Sequence, residues 1–152
     1  MSARRHGTRS GDRFSDGSPF EPVAGYSRAA RRGTRIAVSG TTARGTAEAG
    51  DTYEQALDCL KRVIAAVAAL GGHREDIVRT RVYLAPGADW RQASQAHLEA
   101  LGDVAPANTM LSVASLVGEG LLVEVEADAE IESDTDLRAD LHDEAALEGG
   151  EV

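Results

Sequence analysis

The residues best suited to chemistry in this chain lie in the stretch 122–131, Leu-Val-Glu-Val-Glu-Ala-Asp-Ala-Glu-Ile. Apolar and acidic residues alternate along it with a period of two, which is the spacing of a β-strand with two different faces. The acidic face carries Glu124, Glu126, Asp128 and Glu130. Such a row of carboxylates is unfavourable unless water, cations or arginines face it. The stretch therefore predicts a sheet with one apolar face and one strongly charged face.

Four further segments, 26–31, 35–39, 77–84 and 108–115, have the pattern of strands, and 40–50 has the composition of a loop. The predicted buried face of 77–84 holds Val78, Thr80, Val82 and Leu84, and that of 108–115 holds Leu111 and Val113. If the apolar side of each strand packs on a core, the opposite sides collect hydroxyl, amide, thioether, guanidinium and carboxylate groups. These belong to Ser39, Arg79, Arg81, Asn108, Met110, Glu124 and Glu126. Such a mixture can orient a small polar ligand, position a water molecule or transfer a proton.

A purely structural interpretation of the same residues is also open. Arg79 and Arg81 can neutralise the carboxylates across the sheet, because cross-strand ion pairs are common in antiparallel sheets. An error of one residue in register would also move any of these side chains to the other face.

Two helices are predicted to support the strands. The first begins at Asp51 or Thr52, because Thr52-Tyr-Glu-Gln55 has the spacing of a capping box and Glu54 places a charge in the first turn. Gly71-Gly72 is predicted to end this helix. Its apolar stripe is predicted to consist of Leu57, Leu60, Ile64 and Val67.

The second predicted helix runs from Trp90 to about Leu101, with Asp89 as its cap. The order of elements is then β-β-α-β-α-β-β, which indicates an α+β layer with both helices on one face of the sheet. The opposite face has no cover from its own chain and must meet solvent or another subunit.

The chain of 152 residues is predicted to form one domain with an extension at each end. Residues 1–20 are rich in Arg, Gly, Ser and Asp, which predicts a flexible arm. Residues 21–131 form the domain. Residues 132–152 form an acidic tail that carries −7 of the net charge of −9. The tail is predicted to be disordered or to form a short amphipathic helix through Leu137 and Leu141.

Charge and composition argue against several classes of protein. The net charge of −9 argues against a general nucleic-acid binder. No apolar run approaches the roughly 18 residues that a membrane span needs, and the N-terminus lacks the apolar segment of a signal peptide. The single cysteine, Cys59, allows no intramolecular disulfide, which fits a reducing compartment. We therefore expect a cytoplasmic protein that binds neither nucleic acid nor membranes.

Several chemistries lack their sequence signatures. The four histidines do not have metal-ligand spacing, and there is no phosphate-binding loop or nucleophile elbow. Cys59 is predicted to be a buried residue and His97 a packing residue. The sequence therefore predicts neither a metal nor an organic cofactor.

Five short blocks resemble, in order and spacing, the signature segments of the RidA/YjgF family of reactive-intermediate deaminases, also called endoribonuclease L-PSP-like proteins. They are Gly-Tyr-Ser-Arg-Ala (25–29), Ala-Val-Ser-Gly (37–40), Asp-Ile-Val-Arg-Thr-Arg-Val-Tyr-Leu (76–84), Pro-Ala-Asn-Thr-Met (106–110) and Leu-Val-Glu-Val-Glu-Ala (122–127). The resemblance implies a chorismate-mutase-like α+β fold and a homotrimer with a central barrel and small-molecule clefts between subunits. Family members with deaminase activity hydrolyse enamines and imines without a cofactor.

The resemblance also implies roles for single residues. Tyr26 and Ser39 match the family's pocket Tyr and Ser, and Glu124 matches the glutamate that positions the attacking water. Asn108 stands where the family has an arginine that binds the substrate carboxylate, and Met110 stands where it has a pocket Cys. Asparagine supplies no positive charge, so these two positions indicate a divergent branch.

Two functions follow as hypotheses. One is a Rid-type hydrolase acting on a small imine, enamine or related molecule, and the other is a non-catalytic small-molecule-binding trimer. The predicted catalytic residue is Glu124, and the predicted substrate-binding residues are Tyr26, Ser39, Asn108, Met110 and Arg81. Arg28, Arg79 or Arg81 could replace the missing guanidinium. Ribonuclease activity is disfavoured, because the chain is acidic and lacks a basic, aromatic groove.

Overall fold

The computed structural model describes residues 13–133, which form a six-stranded sheet in the order β1-β2-β3-β6-β4-β5. The strands are β1 (Arg13–Phe14), β2 (Ala29–Arg32), β3 (Arg35–Thr42), β4 (Ile77–Leu84), β5 (Ala107–Ser112) and β6 (Val123–Glu130). The helices are α1 (Phe20–Ala24), α2 (Thr52–Ala69) and α3 (Trp90–Leu101), with 3₁₀ turns at Gly45–Ala49 and Arg74–Asp76. The helices α2 and α3 pack on each other, and α2 packs on β3 and β6. This confirms the predicted α+β fold.

Strand β6 lies at the centre of the sheet, antiparallel to β3 on one side and to β4 on the other. Its apolar residues Val123, Val125, Ala127 and Ala129 are at most 2% exposed. Burial of a valine side chain contributes about 1.5–3 kcal/mol to folding, so this strand anchors the core. The predicted alternation of β6 is confirmed.

Helix α2 has a capping box, but one residue earlier than predicted. The side chain of Asp51 accepts the backbone N–H of Glu54 at 2.9 Å, and the Glu54 carboxylate accepts the N–H of Asp51 at 2.9 Å. The proposed pair Thr52–Gln55 was wrong because both side chains are buried and bonded elsewhere. Thr52 Oγ1 accepts the N–H of Asp89 at 3.0 Å, which ties α2 to the start of α3.

The buried stripe of α2 is rotated from the predicted one. Leu60 and Val67 are buried as predicted, whereas Leu57 and Ile64 are only half-buried. Cys59 is fully buried in this stripe, as predicted, and burial raises the pKa of its thiol to about 12. No helix within residues 13–133 has the length and apolar character needed to cross a bilayer.

Strand β4 has the predicted bounds, but a bulge changes which side chains it buries. Its register against β6 shifts between Ile77 and Arg79. Ile77 is therefore in the core, while Val78 is 51% exposed. The prediction that Val78 shares the buried face was wrong, because an extra residue at a bulge interrupts the alternation of sides.

The orientation predicted for β5 was also wrong. This strand pairs in parallel with β4, with Asn108 beside Thr80 and Met110 beside Val82. Directly paired residues point to the same side of a sheet, and Thr80 and Val82 are buried towards the helices. Asn108 and Met110 therefore lie on the helix side. Leu111, predicted to be buried, is 52% exposed, because β5 is an edge strand and its apolar residues do not mark the core.

Part of the predicted N-terminal arm belongs to the folded domain. β1 pairs with β2, and α1 follows it, so the observed order begins β-α before the predicted elements. Strand β3 also continues to Thr42, where a loop was predicted from Gly40. Residues 1–12 and 134–152, which include most of the predicted acidic tail, lie outside the described residues.

Candidate functional site

Glu124 is a half-buried acid at the start of β6, and its side chain lies against the backbone of Gly40. The register of β3 against β6 shifts between Val38 and Thr41, so Gly40 lies in a bulge. A Cβ atom on Gly40 would collide with Glu124 Oε1. A glycine in a strand commonly marks such a close approach, and here it makes room for the carboxylate.

The surroundings of Glu124 favour its protonated form. Burial raises the pKa of Glu124 above its usual range, the negative charge of Glu126 raises it further, and the positive charge of Arg28 opposes both. A carboxyl group with a raised pKa can take up and return a proton closer to neutral pH than an exposed one. Glu124 is thus suited to proton transfer.

The Glu124 side chain opens onto a cavity of about 600 Å³, which we call the Glu124 cavity. Tyr26, Arg28 and Gly40 line it on the side of β2 and β3. The guanidinium of Arg28 lies 5.8 Å from the centre of the Tyr26 ring, within the range of a cation–π contact. The volume is within the usual range for small-molecule sites.

Three arginines at this cavity converge on Asp16. Asp16 Oδ2 lies 3.2 Å from Arg28 Nε and 2.5 Å from Arg62 Nη2, and Oδ1 lies 3.2 Å from Arg44 Nη2. Burial alone would raise the pKa of Asp16, but the hydrogen bond from Arg62 and the charges of all three arginines lower it overall. The ionised Asp16 therefore attaches residues 13–24 to the edge of the cavity.

Ser39 is close in sequence to the cavity, but its side chain is bonded to the backbone. Its hydroxyl donates to the carbonyl of Ser27 at 2.7 Å, and its N–H donates to the carbonyl of Arg28 at 2.9 Å. Tyr26, in contrast, lines the Glu124 cavity. Tyr26 and Glu124 thus line the same cavity, whereas Ser39 hydrogen-bonds to the backbone of the segment before β2.

Arg81 lies on the uncovered sheet face between two acids of β6. Its Nη1 atom is 3.5 Å from Glu126 Oε1 and 3.2 Å from Asp128 Oδ2. Tyr83 donates to Glu126 at 2.6 Å, and this bond raises the pKa of Tyr83. Arg81 therefore neutralises acids across the sheet, as the structural interpretation predicted. Arg79 borders a cleft with Asp128 on the same face. Within residues 13–133, no three His, Cys, Asp or Glu side chains are grouped to hold a metal ion.

Asn108 and Met110 line a separate groove of about 290 Å³ between α3 and β5, which we call the Asn108 groove. Asn108 Nδ2 donates to Thr80 Oγ1 at 2.9 Å, and His97 Nε2 lies 2.8 Å from the same oxygen. Burial lowers the pKa of His97, which favours the neutral imidazole. His97, predicted only to pack, thus also holds the hydroxyl that orients Asn108.

A single chain does not bring all the predicted site residues together. Tyr26 and Glu124 share one cavity, Asn108 and Met110 line a groove on the helix side, and Arg81 lies on the uncovered face. Their placement on one common face was therefore wrong for Asn108 and Met110. The physical reason is the parallel pairing of β5, which the strand's own pattern does not reveal.

Sequence reasoning missed Asp16, Arg44 and Arg62. Arg62 follows Cys59 by three residues in α2, so it points towards the same side as that buried residue, and this spacing was an available signal. Asp16 gave no signal, because its surroundings have the composition of an unstructured arm.

The fold and these sites define a class: a small α+β domain with a charged, uncovered sheet face and a cavity at the start of its central strand. The sequence model described as Endoribonuclease L-PSP matches residues 17–131. The chain therefore belongs to this family, which is also known as RidA/YjgF.

Relatives agree with this assignment. An uncharacterised protein of Streptomyces coelicolor is 38% identical over 120 residues, which are 77% of this chain and 90% of that protein. A RutC family protein of Pyrococcus horikoshii is 27% identical over 118 residues, which are 75% of this chain and 92% of the relative. The crystal structure of a YjgF/YER057c/UK114 family member from Mycobacterium tuberculosis is 40% identical, has a TM-score of 0.73, and covers 78% of this chain and 98% of its own.

Proposed function

We propose that this protein is a Rid-type hydrolase that acts on a small imine, enamine or related metabolite, with Glu124 as its catalytic residue. The observation that carries the proposal is the half-buried Glu124 carboxyl, which has a raised pKa and lies against Gly40 in a cavity shared with Tyr26. Membership of the family supports the class of chemistry.

In the proposed reaction, Glu124 takes a proton from a water molecule as the water oxygen bonds to the imine carbon. The electron pair of the C=N bond moves to nitrogen, which takes the proton back from Glu124 and yields a carbinolamine. Glu124 then takes the hydroxyl proton and protonates the amine nitrogen. The C–N bond breaks, and ammonia and a carbonyl product leave. An enamine substrate enters as its imine tautomer after protonation at carbon.

Other residues are proposed to orient the substrate. Tyr26 contacts it from the wall of the Glu124 cavity, where Arg28 and its charge also lie. Ser39 remains a proposed binding residue. To contact the ligand, its hydroxyl would break its hydrogen bond to the Ser27 carbonyl and donate to the ligand instead. Arg81 is a weaker candidate, since it is already paired with Glu126 and Asp128.

We further propose a homotrimer, in which the Asn108 groove of one copy adjoins the Glu124 cavity of the next. Two observations support this arrangement. β5 is an edge strand, whose outer backbone groups can pair with another chain, and its Leu111, on the face opposite to the groove, is 52% exposed. The charged face of the sheet also has no helix of the described chain packed on it. The complete substrate site would then contain residues of two copies.

The Asn108 groove favours an uncharged group on the substrate. Its lining contains no Asp, Glu, Lys or Arg, and the low pKa of His97 favours a neutral ring. A carboxylate placed there would lose hydration without meeting a positive charge, which is unfavourable. We therefore propose a substrate that presents an amide, carbonyl or hydroxyl group to Asn108.

Ammonia release from imines generated in solution by an amine-oxidising enzyme tests the catalytic proposal. Wild type, Glu124→Gln and Glu130→Gln are compared, because Glu130 lies on the same strand but at its far, exposed end. Loss of a general base typically lowers the rate by about 10²–10⁴-fold, so Glu124→Gln should lose this factor and Glu130→Gln should not. Equal rates in wild type and Glu124→Gln would overturn the proposal.

The second candidate function is non-catalytic binding of a small molecule at the same sites. The observation that favours it is that the lining of the Asn108 groove contains no Asp, Glu, Lys or Arg. A thermal-shift screen with keto acids and amides, in which a ligand stabilises the protein but no substrate is turned over, would support this function. The same preparations can be assayed for RNA cleavage, which the net charge of −9 disfavours.

A further inference from the structure

We propose that Asp16 is a positioning residue of the Glu124 site. By binding Arg28, it keeps this guanidinium from pairing with Glu124 and so leaves the carboxylate open to water and ligand. Nothing in the sequence pattern indicates this role, and it rests on the proposed function only for its effect on turnover. The role itself depends on the positions of Asp16, Arg28, Gly40 and Glu124.

Arg28 is buried beside the backbone that Glu124 contacts. Its side chain is only 6% exposed, and its Nη1 atom donates to the carbonyl of Gly40 at 2.5 Å and to Thr41 Oγ1 at 3.2 Å. Glu124 lies against the same glycine. A buried cation and a half-buried carboxylate thus both contact Gly40, and Arg28 already lowers the pKa of Glu124.

The acid that pairs with Arg28 is Asp16. Among the ion pairs within residues 13–133, Arg28 pairs with Asp16 and not with Glu124. A buried charge without a partner is strongly unfavourable, so Arg28 needs a nearby acid. Asp16 Oδ2 meets this need at Arg28 Nε, 3.2 Å away, while Nη1 of Arg28 donates to the carbonyl of Gly40. Without Asp16, Glu124 is the acid that already interacts with Arg28 across Gly40.

Asp16 is itself held in place by two further arginines. Arg44 donates to the Asp16 carbonyl at 3.2 Å and to its Oδ1 at 3.2 Å, and Arg62 donates to Oδ2 at 2.5 Å. Arg62 also donates to the carbonyl of Thr42, which is the register partner of Glu124. Asp16 is thus held on three sides and connected to both ends of the strand segment that faces Glu124.

Substitution of Asp16 by Asn tests the inference in the full-length protein. It removes the charge and keeps the shape. Freed from Asp16, Arg28 pairs with Glu124, and an opposite charge within about 4–6 Å lowers a carboxyl pKa by about 1–3 units. NMR titration of ¹³C-labelled glutamate carboxyls, with the Glu124 signal assigned from Glu124→Gln, should show this fall. Ammonia release from the generated imines should fall with it.

Asp103→Asn is the matched control. Asp103 binds Arg74 through both carboxylate oxygens, at 2.5 and 2.7 Å, and does not line the Glu124 cavity, so the variant removes the same charge elsewhere. It should leave the Glu124 titration unchanged. Asp16→Glu, which retains the carboxylate, should keep the Glu124 titration close to that of wild type, and Asp16→Ser replaces Asp16→Asn if that variant does not fold.

An unchanged Glu124 titration in Asp16→Asn, with a loss of stability like that of Asp103→Asn, would overturn the inference and leave Asp16 a structural residue. This outcome is separate from failure of the proposed function. If no imine is hydrolysed by wild type, the titration still decides whether Asp16 controls the state of Glu124.

Discussion

Glu124 Oε1 occupies the space beside Gly40 that a β-carbon would need. The two residues are brought together by a bulge in β3, which displaces Ser39 and Gly40 from the regular register with β6. Backbone and carboxylate therefore approach more closely than two strands normally allow. The geometry of the proposed catalytic acid thus depends on a residue without a side chain.

Gly40→Ala should destabilise the protein and displace Glu124. Forcing an extra carbon into a filled position typically costs about 1–3 kcal/mol, and the low end is expected here, because the carboxylate ends a flexible side chain and can move aside. The free energy of unfolding from urea titration measures the cost. Adding Glu124→Ala removes the colliding side chain and should recover most of the loss. Strictly additive effects in the double variant would show that the two residues do not compete for the same space.

Glu124→Gln should stabilise the protein near neutral pH. The folded-state pKa of Glu124 is raised above its unfolded value, so ionisation is more costly in the folded protein. Stability linked to this group is present below the unfolded pKa of about 4.3 and is lost as pH rises through the folded pKa. The difference between Glu124→Gln and wild type in urea unfolding should therefore be larger at pH 8 than at pH 4.

The pH dependence of that difference is the decisive feature. Glu130→Gln serves as the control, because it removes a carboxylate from the exposed far end of the same strand. A stability difference that is the same at both pH values would mean that Glu124 does not titrate abnormally in the folded state.

Asn108→Arg should give the protein affinity for small carboxylates. A guanidinium in the uncharged Asn108 groove supplies the bidentate, charge-assisted contact that asparagine lacks. Hydrogen bonds to charged groups contribute about 1.5–3 kcal/mol, so affinity for a small 2-keto acid should rise by about tenfold or more. Calorimetric titration measures the change.

Asn108→Gln controls for the lost hydrogen bond to Thr80 without adding charge. Equal affinity of the Arg and Gln variants for the keto acid would show that the groove does not contribute to ligand binding.

Elements with strong local patterns were predicted well. The alternation of β6, the bounds of β4 and the span of α3 from Trp90 to Leu101 all follow from residues that are neighbours in sequence. The family relationship was also visible in short blocks, and the matching family model covers residues 17–131. Tyr26 and Glu124, both predicted site residues, line one cavity, and their roles remain predictions.

Predictions that needed non-local information failed. The side of β5 was wrong, because an edge strand buries neither of its faces fully and the partner strand sets its orientation. Val78 was placed in the core, because a bulge leaves no mark in hydrophobic periodicity. The homotrimer and the role of Ser39 remain predictions.

The amino-acid sequence by itself determined most of the strands and both long helices, including the carboxylate-rich strand β6, because periodicity and capping act between near neighbours. Only the tertiary structure decided that Glu124 meets Gly40, that Asp16 gathers three arginines, and that Asn108 lies on the helix side. These contacts join residues far apart in the chain, and they depend on strand register and bulges, which are set by the packing of the whole sheet.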